Sequence, residues 1–229
     1  MDYKLPLLIL FDLDGTLVDS APDLARSVDH TLRTLNLPSF DEATIRTWVG
    51  NGAARLIKRV LTGSMDGEPE AVLFNRAQHA FMQHYRGHVC VHSRLYPCVA
   101  DTLIALSSAG HVLGCVTNKP AEFTRPLLQA LSIDHQFSIV LSGDDLPRKK
   151  PDPLPITHAA ESLGTSLDAV IMVGDSRNDI NAAKAAGVIS VAVPYGYNHG
   201  EDIALSAPDY LIADLSALID ILQHLSPQH

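Results

Sequence analysis

The run Leu7-Leu8-Ile9-Leu10-Phe11 is apolar at every position and stops at Asp12. A strand with no polar face cannot lie on a surface; it belongs inside a sheet covered on both sides. Similar runs recur at 112–116, 137–141, 169–173 and 188–193. Helical stripes separate them. Val99, Leu103 and Leu106 end at Gly110; Phe123, Leu127 and Leu131 follow; Ile156, Ala160 and Leu163 end at Gly164. Ile180, Ala183 and Ala186 end at Gly187, a favoured residue just past a helix. This alternation predicts a doubly wound (Rossmann-like), mostly parallel α/β sheet. A last stripe at Leu215, Leu218, Ile219 and Leu222 predicts a helix packed on that sheet.

One stretch breaks the pattern. Ser20-Ala21-Pro22-Asp23 reads as a capping box with Pro near the first helical position, and Leu24, Val28, Leu32 and Leu35 follow at helical spacing. Asp41 precedes a helix carrying Ile45 and Trp48, Gly50-Asn51-Gly52 interrupts it, and Leu56, Ile57, Val60 and Leu61 resume. Phe74, Ala77, Phe81 and Tyr85 form a final stripe. The expected organisation is an α/β core of residues 1–17 and 86–229 with an all-helical cap, residues 18–85, inserted after the first strand.

Composition narrows the function. With 46% hydrophobic and 19% charged residues in 229, the chain is a folded protein with a sizeable core, not a disordered one. A net charge of -9 repels a phosphate backbone, which predicts no nucleic-acid partner. An anionic substrate must then be drawn in by local cations or a metal. Three cysteines are too few for a disulfide framework and suit a reducing cytoplasm. The N-terminal apolar run is too short for a signal peptide or a membrane span, so no membrane association is expected.

Ligands of open α/β sheets bind beyond the carboxyl ends of the strands. Asp12-Leu13-Asp14-Gly15-Thr16 follows the first run, Thr117-Asn118-Lys119 the second, and Gly174-Asp175-Ser176-Arg177-Asn178-Asp179 the fourth; Arg148-Lys149-Lys150-Pro151 lies in an adjoining loop. Asp12 and Asp175 are hard oxygen ligands suited, with waters, to Mg²⁺. The metal offsets the repulsion between carboxylate and phosphate, so that Asp12 can act as a nucleophile. A lysine and a threonine hydroxyl can hold phosphate oxygens. Asp14 is placed to protonate the leaving oxygen and later to deprotonate water. Gly15 permits the tight turn, with Thr16 as a supporting residue beside it.

In that order, these segments resemble the four signatures of the haloacid-dehalogenase-like phosphohydrolases: Phe11 to Ser20, Val116-Thr117-Asn118-Lys119, Lys150-Pro151, and Gly174 to Asp179. Trp48-Val49-Gly50-Asn51-Gly52, Lys149-Lys150-Pro151-Asp152-Pro153 and Tyr195-Gly196-Tyr197-Asn198 are similar to the phosphoglycolate phosphatase-like branch. The resemblance implies that Asp12 becomes an aspartyl phosphate and that Asp14 is the acid/base. It implies that Asp12, Asp175 and the carbonyl of Asp14 hold Mg²⁺. Thr117, Asn118 and Lys150 would bind the phosphoryl group, and Asp179 would be a supporting acid; Lys149 is the alternative to Lys150.

The implied substrate is a small phosphorylated metabolite, first 2-phosphoglycolate, with sugar phosphates and nucleoside monophosphates sharing the chemistry. A phosphomutase, a phosphonate hydrolase, a dehalogenase and a phospho-receiver module are the competing readings. Asp14 argues against the dehalogenase, the lack of a marked cap lysine against the phosphonate hydrolase, and the inserted cap against the receiver. In the cap, Gly50, Asn51 and Arg55 are the candidates to hold a substrate carboxylate. His84, His88, Cys90 and His92 offer metal-ligand types at close spacing but no fourth-ligand pattern, and read as hinge or surface residues. Monomer and homodimer are both compatible with the sequence.

Overall fold

The structure, a computed structural model, describes residues 6–225. Among them the chain runs β1 (Leu8–Phe11), β2 (Val18–Asp19), α1 (Ala21–Thr34), α2 (Glu42–Trp48), α3 (Ala53–Thr62), α4 (Ala71–Arg86), β3 (Arg94–Leu95) and α5 (Val99–Ser108). It continues as β4 (Val112–Val116), α6 (Ala121–Ala130), β5 (Ile139–Leu141), α7 (Leu154–Ser162), β6 (Val170–Gly174), α8 (Arg177–Ala186), β7 (Ile189–Ala192), β8 (Tyr210–Leu211) and α9 (Ala217–Leu225). Six of the described strands form one sheet in the order β5-β4-β1-β6-β7-β8, with every neighbouring pair parallel.

Strand periodicity explains the continuous apolar runs. Along β1, Ile9 and Phe11 join one buried cluster with α5, α6 and α9, whereas Leu8 and Leu10 join another with α7 and α8. Both faces are dry, as the run 7–11 required. β8 was not foreseen, because two residues carry no readable period; it adds to β7 through Val191 and Ala192. The two-residue ribbon β2–β3, antiparallel at Val18–Leu95 and Asp19–Arg94, was missed for the same reason.

Helices α1 to α4 fill the interval between β2 and β3 and share their own apolar cluster, including Val28, Ile45, Trp48, Ile57, Val60 and Phe81. Phe123 and Tyr197, from outside the insert, complete it. Asp41 caps α2 by accepting the Thr44 N–H at 2.7 Å, and Gly187 ends α8 in the left-handed conformation. The capping box at Ser20 does not form. The Tyr197 hydroxyl takes the N–H groups of Ser20 and Ala21 at 2.9 and 3.1 Å instead.

Asp23, expected in that box, turns to the segment that follows α4. It accepts the N–H groups of Val91, His92 and Ser93 and the Ser93 hydroxyl at 2.7–3.0 Å, tying the entry of the insert to its exit. Burial raises its pKa, but these donors more than compensate and hold it below the ordinary carboxylate value. Asp23→Ala is expected to cost about 2–4 kcal/mol, because buried donors lose their acceptor. Urea unfolding checks this. Since the folded pKa is depressed, the contribution is present above about pH 4 and is lost as acid protonates the group.

Candidate active site

β4, β1 and β6 lie side by side, so the residues that follow them converge. The Asp12 N–H extends the ladder by bonding the Val173 carbonyl at 2.9 Å, and the Thr117 N–H bonds that of Leu141 at 2.9 Å. Asp12 therefore stands at the carboxyl end of the central strand β1, between the strand ends that carry Thr117 and Asp175. All three are buried.

Asp175 is tightly oriented. Thr16 Oγ1 donates to Oδ1 and the Tyr197 N–H to Oδ2, both at 2.7 Å, and the Tyr195 hydroxyl holds the Thr16 carbonyl at 2.9 Å. Two glycines make room for this carboxylate: a Cβ on Gly15, whose φ is +92°, would fall 2.3 Å from Oδ2, and one on Gly196 2.1 Å from it. No side chain larger than hydrogen fits either approach.

Carboxylate oxygens of Asp12, Asp175 and Asp179 lie within 4.8 Å of one another. Lys150, 1% exposed, is the ammonium among them: Nζ donates to Asp179 Oδ1 at 2.6 Å and to the Val116 carbonyl at 2.5 Å, and stands 3.0 Å from Asp12 Oδ1. Burial would depress the Lys150 pKa, but Asp12 and Asp179 hold it above its ordinary value. Three carboxylates against one ammonium leave two buried negative charges. Burial, then the Asp179 charge, pushes Asp12 up to about 7 despite Lys150; burial and the charges of Asp12 and Asp179 push Asp175 well above the carboxylate range. Asp12 Oδ1 is buried, with the Lys150 ammonium 3.0 Å away as its polar neighbour. A hard divalent cation fits this donor set, since it cancels the excess charge of the clustered carboxylates.

Asp179 is committed elsewhere. Its Oδ2 accepts the Ser176 N–H at 3.0 Å and hydroxyl at 2.7 Å as the box that starts α8, and its Oδ1 accepts Lys150. Its charge belongs to the cluster while its oxygens are taken.

Sequence reasoning overlooked the partners of Asp14. Lys119 Nζ donates to its two oxygens at 3.1 and 3.2 Å, and the Ser20 hydroxyl donates to Oδ1 at 2.6 Å. Both residues stand inside segments singled out for other reasons, but no local pattern says that they meet Asp14.

The loop between α2 and α3 reaches this crevice. Asn118 Nδ2 donates to the carbonyls of Gly50 and Lys150, each at 3.0 Å, so its amide hydrogens bind backbone and are not free for a phosphate. Asn178 Nδ2 also meets the Gly50 carbonyl at 3.3 Å, and Asn51 Nδ2 donates to Asn178 Oδ1 at 3.3 Å. Buried Arg59 holds the loop from behind through the Trp48 carbonyl at 2.7 Å and Asn51 Oδ1 at 2.8 Å. Lys149 bonds the Asn51 carbonyl at 2.7 Å, which leaves Lys150 as the lysine beside Asp12.

Arg55 is not brought to the crevice. It pairs with Glu68 at 3.2 Å and is absent from the cavity lined by Asp12, Asp14, Gly50, Gly52, Thr117 and Tyr85. Gly50 reaches that cavity; Asn51 instead faces Asn178 and Arg59. His84 stacks on His30 on one side and on His88 on the other, with ring centroids 4.1 Å apart in each pair.

Residues 9–193 match the model of the haloacid dehalogenase-like hydrolase family. The chain is 48% identical to the phosphoglycolate phosphatase of Nitrosococcus oceani over 219 residues, covering 96% of this chain and 97% of that one. It is 45% identical to the phosphoglycolate phosphatase of Escherichia coli K12, covering 93% and 91%. The crystal structure of a predicted phosphoglycolate phosphatase from Haemophilus somnus superposes with a TM-score of 0.90 at 42% identity, covering 94% of this chain and 97% of that one. CbbY from Rhodobacter sphaeroides, solved in complex with phosphate, superposes with a TM-score of 0.77 at 25% identity, covering 92% and 95%.

Proposed function

The chain belongs to the haloacid dehalogenase-like hydrolases, and on that premise we propose that it is a Mg²⁺-dependent phosphatase converting 2-phosphoglycolate to glycolate and inorganic phosphate. The cluster of Asp12, Asp175, Asp179 and Lys150 at adjoining strand ends carries the reading. Relatives named phosphoglycolate phosphatase, 42–48% identical over nearly the whole chain, support the substrate.

Asp12 and Asp175, with the carbonyl of Asp14, are assigned as the ligands of Mg²⁺, which when bound neutralises substrate and carboxylate charge. An Asp12 oxygen attacks phosphorus as the ester P–O bond breaks, and Asp14 delivers a proton to the departing oxygen. The product is an aspartyl phosphate and a free alcohol. Asp14 then takes a proton from water, whose oxygen attacks phosphorus; the P–O bond to Asp12 breaks and the carboxylate is restored. Lys150 and Thr117 are assigned to the phosphoryl oxygens, Lys150 from beside Asp12. Asp179 anchors Lys150. The helical insert, residues 18–85 by our division, serves as a cap that excludes water and reads the leaving group through the Gly50-Asn51-Gly52 loop.

Among the described residues, no helix is long and apolar enough to cross a membrane. The three cysteines are free, which supports a cytoplasmic location. The acidic chain suits a small-molecule substrate rather than nucleic acid, acting as a monomer or homodimer.

A panel of phosphate esters ranked by kcat/KM tests the substrate. 2-Phosphoglycolate is expected to lead a hexose phosphate and a nucleoside monophosphate by at least about 10-fold. A nucleotide or sugar phosphate at the head of the ranking would replace it. Chelation is expected to abolish turnover and added Mg²⁺ to restore it; activity that survives exhaustive chelation would remove the metal from the mechanism.

A further inference from the structure

An ammonium group has three N–H donors. At Lys119 two of them go to the carboxylate of Asp14, and Tyr85 Oη takes a contact at 2.8 Å. Tyr85 comes from the last turn of α4, in the helical insert, whereas Lys119 follows β4 and Asp14 follows β1. Tyr85 is 1% exposed and Lys119 is 4% exposed. The tyrosine ring also packs edge-on against Phe123 with centroids 4.7 Å apart, which fixes where its hydroxyl points. Burial pushes the Tyr85 hydroxyl up to about 12, so it remains neutral. The lysine stem is flexible, and Tyr85 Oη is a buried acceptor that meets its head beside Asp14. Tyr85 and Asp14 both line the crevice, and the Lys119 ammonium, bonded to each, is the bridge between them.

We propose that Tyr85 is a positioning residue for catalysis, one that acts through Lys119 to aim the Asp14 carboxyl at the leaving oxygen. The insert thereby contributes to the proton-transfer step as well as to enclosure of the substrate. This inference rests on the phosphatase reading and on Asp14 as the proton donor.

Leaving-group chemistry separates this role from a purely structural one. Nitrophenolate departs readily without a proton, whereas an alkoxide needs one, and kcat/KM reports only the steps through the first P–O cleavage. Tyr85→Phe keeps the ring and removes the acceptor. It is expected to lower kcat/KM for an alkyl phosphate such as 2-phosphoglycolate by about 10–100-fold, while that for p-nitrophenyl phosphate changes by less than about 3-fold. Asp14→Asn, run alongside, is expected to show the same discrimination more strongly. If Asp14→Asn discriminates but Tyr85→Phe affects both esters equally, or neither, the positioning role is overturned and the phosphatase reading stands. If Asp14→Asn does not discriminate, the assignment of Asp14 itself fails. Should Tyr85→Phe unfold, Lys119→Met, which removes the bridging ammonium, must reproduce the alkyl-selective loss; an equal loss on both esters overturns the proposal.

Discussion

Asp12→Asn is expected to lower kcat by at least about 10⁴-fold while leaving the circular dichroism spectrum unchanged, because an amide of the same shape cannot form the covalent intermediate. Steady-state assays with phosphoglycolate, and trapping of the labile phosphoenzyme in wild type only, are the readouts. Activity within about 100-fold of wild type would take the nucleophile role from Asp12. The same substitution has a thermodynamic signature. In chelator-treated protein the folded pKa of Asp12, about 7, lies above its unfolded value. The unfolded chain then releases that proton first, so the contribution of Asp12 to stability falls as pH rises from about 4 toward 7. Asp12→Asn removes this slope, and the variant is expected to match or exceed wild type in urea midpoint at pH 8 without divalent cations. A variant clearly less stable than wild type there would contradict the charge balance drawn for the cluster.

Lys150→Ala is expected to lose about 3–5 kcal/mol of folding free energy, since it strips the counter-charge from Asp12 and Asp179 in a dry site. It also leaves the Val116 carbonyl without its donor. Activity is expected to fall by at least about 100-fold, the scale of removing one group that stabilises developing charge. Lys149→Ala is the contrast: that side chain bonds a carbonyl of the insert loop and touches no site carboxylate. Chemical denaturation of the two variants makes the comparison. A loss below about 1 kcal/mol at position 150 would mean that its charge is dispensable to the fold.

Much of this was legible in the chain itself. A fully apolar run that stops at a carboxylate states two things at once: the strand is buried on both faces, and the acid sits at its end. That is why the sequence places Asp12 and Asp175 at strand ends, and their carboxylates meet because β1 and β6 are neighbours. The helical insert was legible because its stripes repeat over several turns. Strands of two residues, such as β8, were not legible, because a period cannot be read from two positions.

Side-chain partnerships followed another rule. Ser20 and Asp23 spell a capping box, but the hydroxyl of Ser20 goes to Asp14 and the carboxylate of Asp23 to residues about seventy positions away. Arg55 sits next to the loop that reaches the crevice, yet the helix turns it to Glu68.

The sequence by itself thus determined the layer architecture, the insertion and the strand-end carboxylates, because each depends on the local periodicity of burial. Only the tertiary structure decided which cation faces which acid. Lys119 and Asp14 are 105 positions apart and Asn118 and Gly50 are 68 apart, and no local propensity encodes a contact at that range. Such pairs are selected when packing removes water, leaving each buried charge or donor to find the partner that the fold has brought within reach.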